Sequence, residues 1–203
     1  MKDAILAIDQ GTTSTRAVLF DSNGKLLHIE QREISTYFPS NGWVEQDPEE
    51  IWNKTQKVFS LTLKKATYMK THIRGMGITN QRETIIAWDK ITGKPLYNAI
   101  VWQDRRTAKI CEEMEKDGLS DEISNKTGLI IDPYFSATKI SWILDNVEDA
   151  RRLALSNRLA VGTIDTFLLF KFTNGDSFYT DITNASRTNL YNCLLYTSDA
   201  ADE

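Results

Sequence analysis

Asp9, Gly11, Thr12, Thr13, Ser14 and Arg16 fall together in AILAIDQGTTSTRAVLFD, residues 4–21. A turn of one glycine and three hydroxyl residues can converge backbone N–H and side-chain O–H groups on one point, which suits phosphate oxygens. An aspartate beside that turn would repel bare phosphate unless a cation lies between them. Magnesium takes oxygen ligands and keeps several waters, so one carboxylate holding a hydrated metal over phosphates is sensible chemistry. Arg16 adds a forked donor for a terminal phosphate. The same residues also suit an ordinary hairpin whose tip is polar because it meets water, and by themselves they weight the two readings equally.

Asn80-Gln81-Arg82-Glu83 is a second constellation. Arg82 brings fixed donors and Glu83 brings acceptors, the combination that grips adjacent hydroxyls of a small polyol. Consecutive strand residues point to opposite faces, so both reach one ligand only if the strand ends here. An Arg-Glu neighbour pair is more often a surface ion pair. Trp102 closes YNAIVW and could lie against the C–H face of a polyol, or be core. Tyr134 follows Asp132-Pro133 and offers one hydroxyl, or is a packed ring with its O–H satisfied.

Two familiar phosphate motifs fail. No GxxxxGK[ST] occurs, and Gly75-Met76-Gly77-Ile78-Thr79-Asn80 has Asn80 where a dinucleotide fingerprint needs its third glycine. The histidines at 28 and 72 have no partner at ligand spacing, which argues against zinc and against a serine triad.

The elements that would carry these residues are legible. Strands are expected at 4–9, 15–21 and 26–34, the last two joined by the turn Ser22-Asn23-Gly24-Lys25. Asp47-Pro48-Glu49-Glu50 opens a helix: Asp47 caps it, Pro48 suits its first position, and the glutamates favour its positive end. Ile51, Thr55, Val58, Phe59, Leu63 and Ala66 give that helix an apolar stripe. Strands at 73–79, 84–88 and 97–102 follow, with a turn at Thr92–Pro95. Helices are expected at 104–116, 120–126, 135–145 and 147–155, then a strand at 159–163, a helix at 164–172 and a hairpin turn at Asn174-Gly175. Hairpins first and crossover helices later indicate a mixed sheet in an α/β domain.

Composition narrows the function. The chain has 203 residues, a formal net charge of -4 and no basic stripe, so neither nucleic acid nor an anionic membrane is an expected partner. The first apolar run stops at Asp9, too short for a signal peptide or a bilayer span. Two cysteines, Cys111 and Cys193, make no disulfide framework, and a cytoplasmic location is expected.

Six segments in order resemble the carbohydrate-kinase family with the actin-like, ribonuclease-H-like fold: DQGTTSTRAVLFD, NGWVEQDPEEIW, GITNQRETIIAWDKITGKPLYNAIVWQDRRT, GLIIDPYFSATKISWILDN, GTIDTFLLFKFT and TDITNASRTNLYN. Tyr134-x-Ser136-x-x-Lys139-Ile140-x-Trp142-Ile143 also looks like the family's signature. The resemblance implies a mixed sheet flanked by helices, forming the incomplete first lobe (1–192) of a two-lobed kinase. It implies ATP and magnesium as cofactors, with Gly11, Thr12, Thr13, Ser14 and Arg16 at the nucleotide phosphates and Asp9 at the metal. NQRE, IVWQ-x-RR and DPYFS favour glycerol over pentoses, with Arg82, Glu83, Trp102 and Tyr134 holding it. Transfer of the γ-phosphoryl group would give sn-glycerol 3-phosphate, with Asp9 and Arg82 catalytic. The general base would belong to a C-terminal lobe beyond this chain, and the complete protein would be a homo-oligomer. A kinase for another polyol or sugar is the alternative. A non-catalytic ATP-binding module is another, since the fold also serves chaperone ATPases and filaments; the polyol constellation argues against it. After Asn192, CLLYTSDAADE departs from the pattern, and residues 193–203 are expected to be an assembly or adapter artefact.

Overall fold

The computed structural model describes residues 2–193, which divide into two compact units, the described residues up to 36 with 46–81, and 37–45 with those from 82 onward. The expectation about 193–203 therefore lies, Cys193 apart, outside the described residues.

In the first unit, strands β1 (Lys2–Gln10), β2 (Ser14–Asp21) and β3 (Leu26–Glu33) form an antiparallel meander. Near the end of the next helix, the chain returns as the last strand of this unit, Thr71–Asn80, parallel to β1. The β2–β3 turn is the expected one: Asp21 Oδ1 accepts from the amides of Asn23 and Lys25, and Gly24 takes a φ of +77° that other residues resist. Alternation puts Ala4, Leu6 and Ile8 on one face with Ala17 and Leu19, where a helix covers them.

That helix, Pro48–Tyr68, starts as its sequence demands, with Asp47 accepting from Glu49 N at 2.8 Å and Pro48 at the first position. Its buried face is slightly rotated from the expected stripe. Ile51, Thr55, Val58, Thr62 and Ala66 are buried, whereas Leu63 is 38 % exposed. Thr62 continues the three- and four-residue steps from Ile51, and its hydroxyl donates to Ala17 O, while Leu63 falls one residue off that line.

In chain order the short strand Glu45–Gln46 is β4, the helix α1 and the strand Thr71–Asn80 β5. The second unit then adds β6 (Ile85–Asp89), β7 (Ala99–Ile100), α2 (Ala108–Lys116), α3 (Ser120–Thr127), α4 (Ser136–Asn146), α5 (Ala150–Leu155), β8 (Leu159–Thr163), α6 (Ile164–Phe172) and α7 (Ile182–Ala185). Its sheet runs β4-β7-β6-β8, so the mixed sheet expected for the domain is one of two four-stranded sheets. β6 is buried along its whole length, which explains its continuous apolar run. Ile85 and Ala87 join Ile100, Ile143 and Ala150 in one core, and Trp88 contacts Phe167, Phe170 and Phe178.

Three expectations shift here. The strand expected at 97–102 shrinks to β7, because Tyr97 and Asn98 turn their side chains to Glu45. The helix expected from 104 begins at Ala108, because the Asp104 carboxylate accepts from the amides of Val44 and Arg106 and holds a turn. Asn174-Gly175 closes α6 instead of linking two strands: Gly175 has a φ of +93° and its amide returns to Phe170 O at 2.9 Å. Gly75–Asn80, which lacks the dinucleotide glycine, lies inside β5.

Candidate active site

The expected site residues divide between the two units. Asp9, Gly11, Thr12, Thr13, Ser14 and Arg16 belong to the first, and Arg82, Glu83, Trp102 and Tyr134 to the second.

In the first unit the β1–β2 turn is fixed from inside. Gly11 N donates to Ser14 O at 2.9 Å, so the glycine amide closes the turn instead of facing a ligand. Three successive carbonyls are then occupied: Gly11 O accepts from Gln10 Nε2, Thr12 O from Gln46 Nε2 at 2.6 Å, and Thr13 O from Ile34 N at 2.9 Å. In a trans peptide the carbonyl and the following N–H point oppositely. The amides of Thr12 and Thr13 thereby point away from the donors that hold the carbonyls before them. Thr13 is exposed and Thr12 partly so, while Ser14 is only 5 % exposed, leaving the first two hydroxyls nearer the surface.

Behind the turn stands a buried amide triad that the sequence reading missed. Gln81 Nε2 donates to Gln46 Oε1 at 2.7 Å and to Gln10 Oε1 at 3.3 Å, and Gln81 N donates to Gln10 O at 2.7 Å. Each glutamine lies inside a quoted motif, but nothing local says that residues 10, 46 and 81 meet.

Asp9 and Arg16 are direct cross-strand partners, and Arg16 Nη1 lies 3.3 Å from Asp9 Oδ2, with Arg16 Nε donating to Gln31. Both side chains remain substantially open, at 38 % and 42 % exposure. Among the described residues no three His, Cys, Asp or Glu side chains form a metal cluster. One open carboxylate beside hydroxyls fits a magnesium ion that arrives with nucleotide phosphates and keeps most of its water.

In the second unit β5 has ended, as two neighbouring side chains at one ligand require, and β6 has not begun. Arg82, Glu83 and Thr84 form a tight turn in which Thr84 N donates to Arg82 O at 2.8 Å, with Glu83 at a φ of +63°. A non-glycine residue held there is strained, and such strain concentrates at functional sites. Arg82 is exposed. Glu83 is 2 % exposed and pairs not with Arg82 but with Arg187, whose Nε lies 2.6 Å from Glu83 Oε1. The surface ion pair weighed for Arg82 and Glu83 is therefore not what forms.

Trp102 N donates to Thr84 Oγ1 at 3.1 Å, which brings the half-buried indole next to this turn. Its ring meets Tyr134 edge-on, with centroids 5.5 Å apart. The Arg187 guanidinium lies 5.4 Å from the Tyr134 ring centre and 4.9 Å from that of Phe135. Glu83, Trp102 and Tyr134, from three distant segments, thus form one patch, with Arg82 beside it.

Beneath the patch, Lys139 is fully buried and its amine donates to the Tyr134 and Phe135 carbonyls at 2.7 and 3.5 Å. Burial pushes its pKa down to about 8, against the opposing pull of Asp104, Glu83 and Asp132. In the sequence, Lys139 and Arg187 stand out only as members of longer matching segments. Arg187 lies 104 positions from Glu83, too far for any local pattern to join them.

A family model described as the FGGY family of carbohydrate kinases, N-terminal domain, matches residues 4–198. A glycerol kinase of Marinomonas sp. (strain MWYL1) is 56 % identical over 203 residues, all of this chain and 41 % of the relative. One from Sinorhizobium fredii is 54 % identical over 190 residues, 94 % of this chain and 38 % of the relative. The solved structure of Plasmodium falciparum glycerol kinase with ADP superposes with a TM-score of 0.90 at 39 % identity, covering 94 % of this chain and 38 % of that one. The chain spans about two fifths of the length of these relatives. Its α/β architecture of sheets flanked by helices is the one expected for an actin-like kinase lobe, and the chain belongs to the FGGY family of carbohydrate kinases.

Proposed function

We propose that the protein of which this chain is part is a cytoplasmic glycerol kinase, transferring the γ-phosphoryl group of ATP to a terminal hydroxyl of glycerol. The observation that carries the reading is the patch of Glu83, Trp102 and Tyr134, drawn from three segments beside the exposed Arg82. It offers what a triol needs: acceptors and donors for hydroxyls and an aromatic surface for its carbons. The identity to glycerol kinases, 54–56 % for the two bacterial relatives, supports glycerol as the polyol.

In this reading the Thr12 and Thr13 amides and hydroxyls, with Arg16, take phosphate oxygens, and Asp9 holds the magnesium that neutralises charge on the nucleotide. Arg82 donates to glycerol oxygens while Glu83 accepts from a hydroxyl, which fixes the alcohol before transfer. The base that removes its proton and much of the adenine site belong to the part of the relatives' length that this chain does not span.

The test is a phosphorylation screen of the complete protein over glycerol, erythritol and pentuloses, followed by Arg82→Ala. Glycerol should be the preferred acceptor. Losing a hydrogen bond from a charged donor costs about 1.5–3 kcal/mol, so the variant should bind glycerol about 10–100-fold more weakly with ATP affinity nearly unchanged. Preference for a pentulose, or equal losses for both ligands, would overturn the assignment.

A further inference from the structure

The Glu83 side chain is in an interior position, where a polar group without partners is costly. Two cations are near, and their roles differ. The Lys139 amine is engaged by the carbonyls of Tyr134 and Phe135, whereas Arg187 Nε donates directly to Glu83 Oε1 at 2.6 Å. Among the described residues, no hydrogen bond to Glu83 Oε2 is seen.

We infer that Arg187 is the positioning residue of this site: it fixes Glu83 through Oε1 and so presents Oε2 as the oxygen that accepts from a polyol hydroxyl. The inference rests on the polyol reading of the patch and deepens it.

The surroundings support a rigid device. The Glu83 backbone is held in its strained turn, and its carbonyl accepts from Ser136 Oγ at 3.2 Å, so the carboxylate's root cannot drift. Arg187 follows α7, whose N-cap Asp181 accepts from Asn184 N at 2.9 Å, and its own amide returns to Asn184 O at 3.0 Å. The next residue, Thr188, accepts from Ala137 N at the start of α4 through its carbonyl at 2.8 Å. The guanidinium is further confined by the faces of Tyr134 and Phe135. One side chain thereby sets two candidate glycerol contacts, Glu83 and Tyr134, without being one itself.

The experiment is a double-mutant cycle in the complete protein, using Glu83→Gln, Arg187→Gln and both together, with Arg187→Lys as the conservative variant. Glycerol KM, ATP KM, kcat and melting temperature are read for each. A positioning role predicts that Arg187→Gln raises glycerol KM about 10–100-fold with ATP KM within about twofold, and that Arg187→Lys recovers part of the loss. In the Glu83→Gln background, adding Arg187→Gln should change glycerol KM by less than about threefold, since the group it positions is gone. If Arg187→Gln alone fails to fold, Arg187→Lys carries the test: its glycerol KM should rise with ATP KM within about twofold, and an unchanged glycerol KM would overturn the role. Additive effects in the cycle, or parallel loss of glycerol and ATP affinity, would overturn the positioning role. A raised glycerol KM for Glu83→Gln with none for Arg187→Gln sinks that role alone. No glycerol effect of Glu83→Gln sinks the polyol reading, and the role of Arg187 with it.

Discussion

Asp9 and Arg16 form an ion pair that is open to water, and such pairs contribute about 0–1 kcal/mol. On the proposed reading, their place on opposite strands at the mouth of a turn serves ligand chemistry rather than stability. Asp9→Asn should therefore leave the melting temperature close to that of the parent while turnover of the complete enzyme falls far more than glycerol affinity. Unchanged turnover at saturating magnesium would return Asp9 to a polar hairpin tip. Lys139 makes a different claim on pH. Burial lowers its pKa from 10.5 to about 8, so the folded protein gives up this proton before the unfolded chain does. The stability that this difference supplies is complete above pH 10.5 and is lost as pH falls through about 8. Compared with Lys139→Met, the parent should gain roughly 3 kcal/mol between pH 8 and 10.5 in denaturant titrations. A flat difference across that window would mean that the amine is not desolvated.

Between elements, Arg106 acts as a clamp. Its guanidinium lies 3.8 Å from the Trp43 ring centre and 4.5 Å from that of Trp142, and Nη2 reaches Glu45 at 2.7 Å and Asp104 at 2.9 Å. All three charged side chains are almost wholly buried. Burial pushes the Glu45 carboxyl up, but hydrogen bonds from Tyr97, Asn98 and Arg106 outweigh it and hold the group below its usual 4.5. Arg106→Leu leaves two carboxylates without their cation and should destabilise the protein by about 3–5 kcal/mol, measured by chemical denaturation. Glu45 stabilises above its usual pKa and loses that contribution as pH falls through its lowered one, so the gap between parent and variant should narrow in acid. A loss under about 1 kcal/mol would mean that the two carboxylates find other partners. This clamp was not legible in advance, because Arg105 and Arg106 look alike in sequence. Only folding puts Arg105 at the surface near Asp132 and Arg106 between two tryptophans.

At the scale of the molecule, phosphoryl transfer needs oriented phosphates, a held hydroxyl and a base. On the proposed reading, the residues on this chain address the first two. The 203-residue polypeptide expressed by itself should therefore form glycerol 3-phosphate far more slowly than a complete glycerol kinase, since a positioned base alone is worth about 10²–10⁴ in rate. The assay is glycerol 3-phosphate production with and without the C-terminal part of a relative supplied separately. Turnover by the polypeptide alone near that of a complete enzyme would show that the base lies within these residues.

The local pieces are written in the residues themselves: the hairpin that carries Asp9 and Arg16, the Asp47-Pro48 start of α1, the Gly24 turn, and the end of β5 just before Arg82 and Glu83. Those features depend on periodicity and turn chemistry within a few residues, which a sequence states outright. The resemblance of several motifs also reached the family. Tertiary structure alone decided which side chains became partners: Gln10 with Gln46 and Gln81, Arg106 with Asp104 and Glu45, and Arg187 with Glu83. An amide or a charge is neutral information until the fold removes its water. From then on its energy depends on whichever distant group the register and packing bring within about 3 Å.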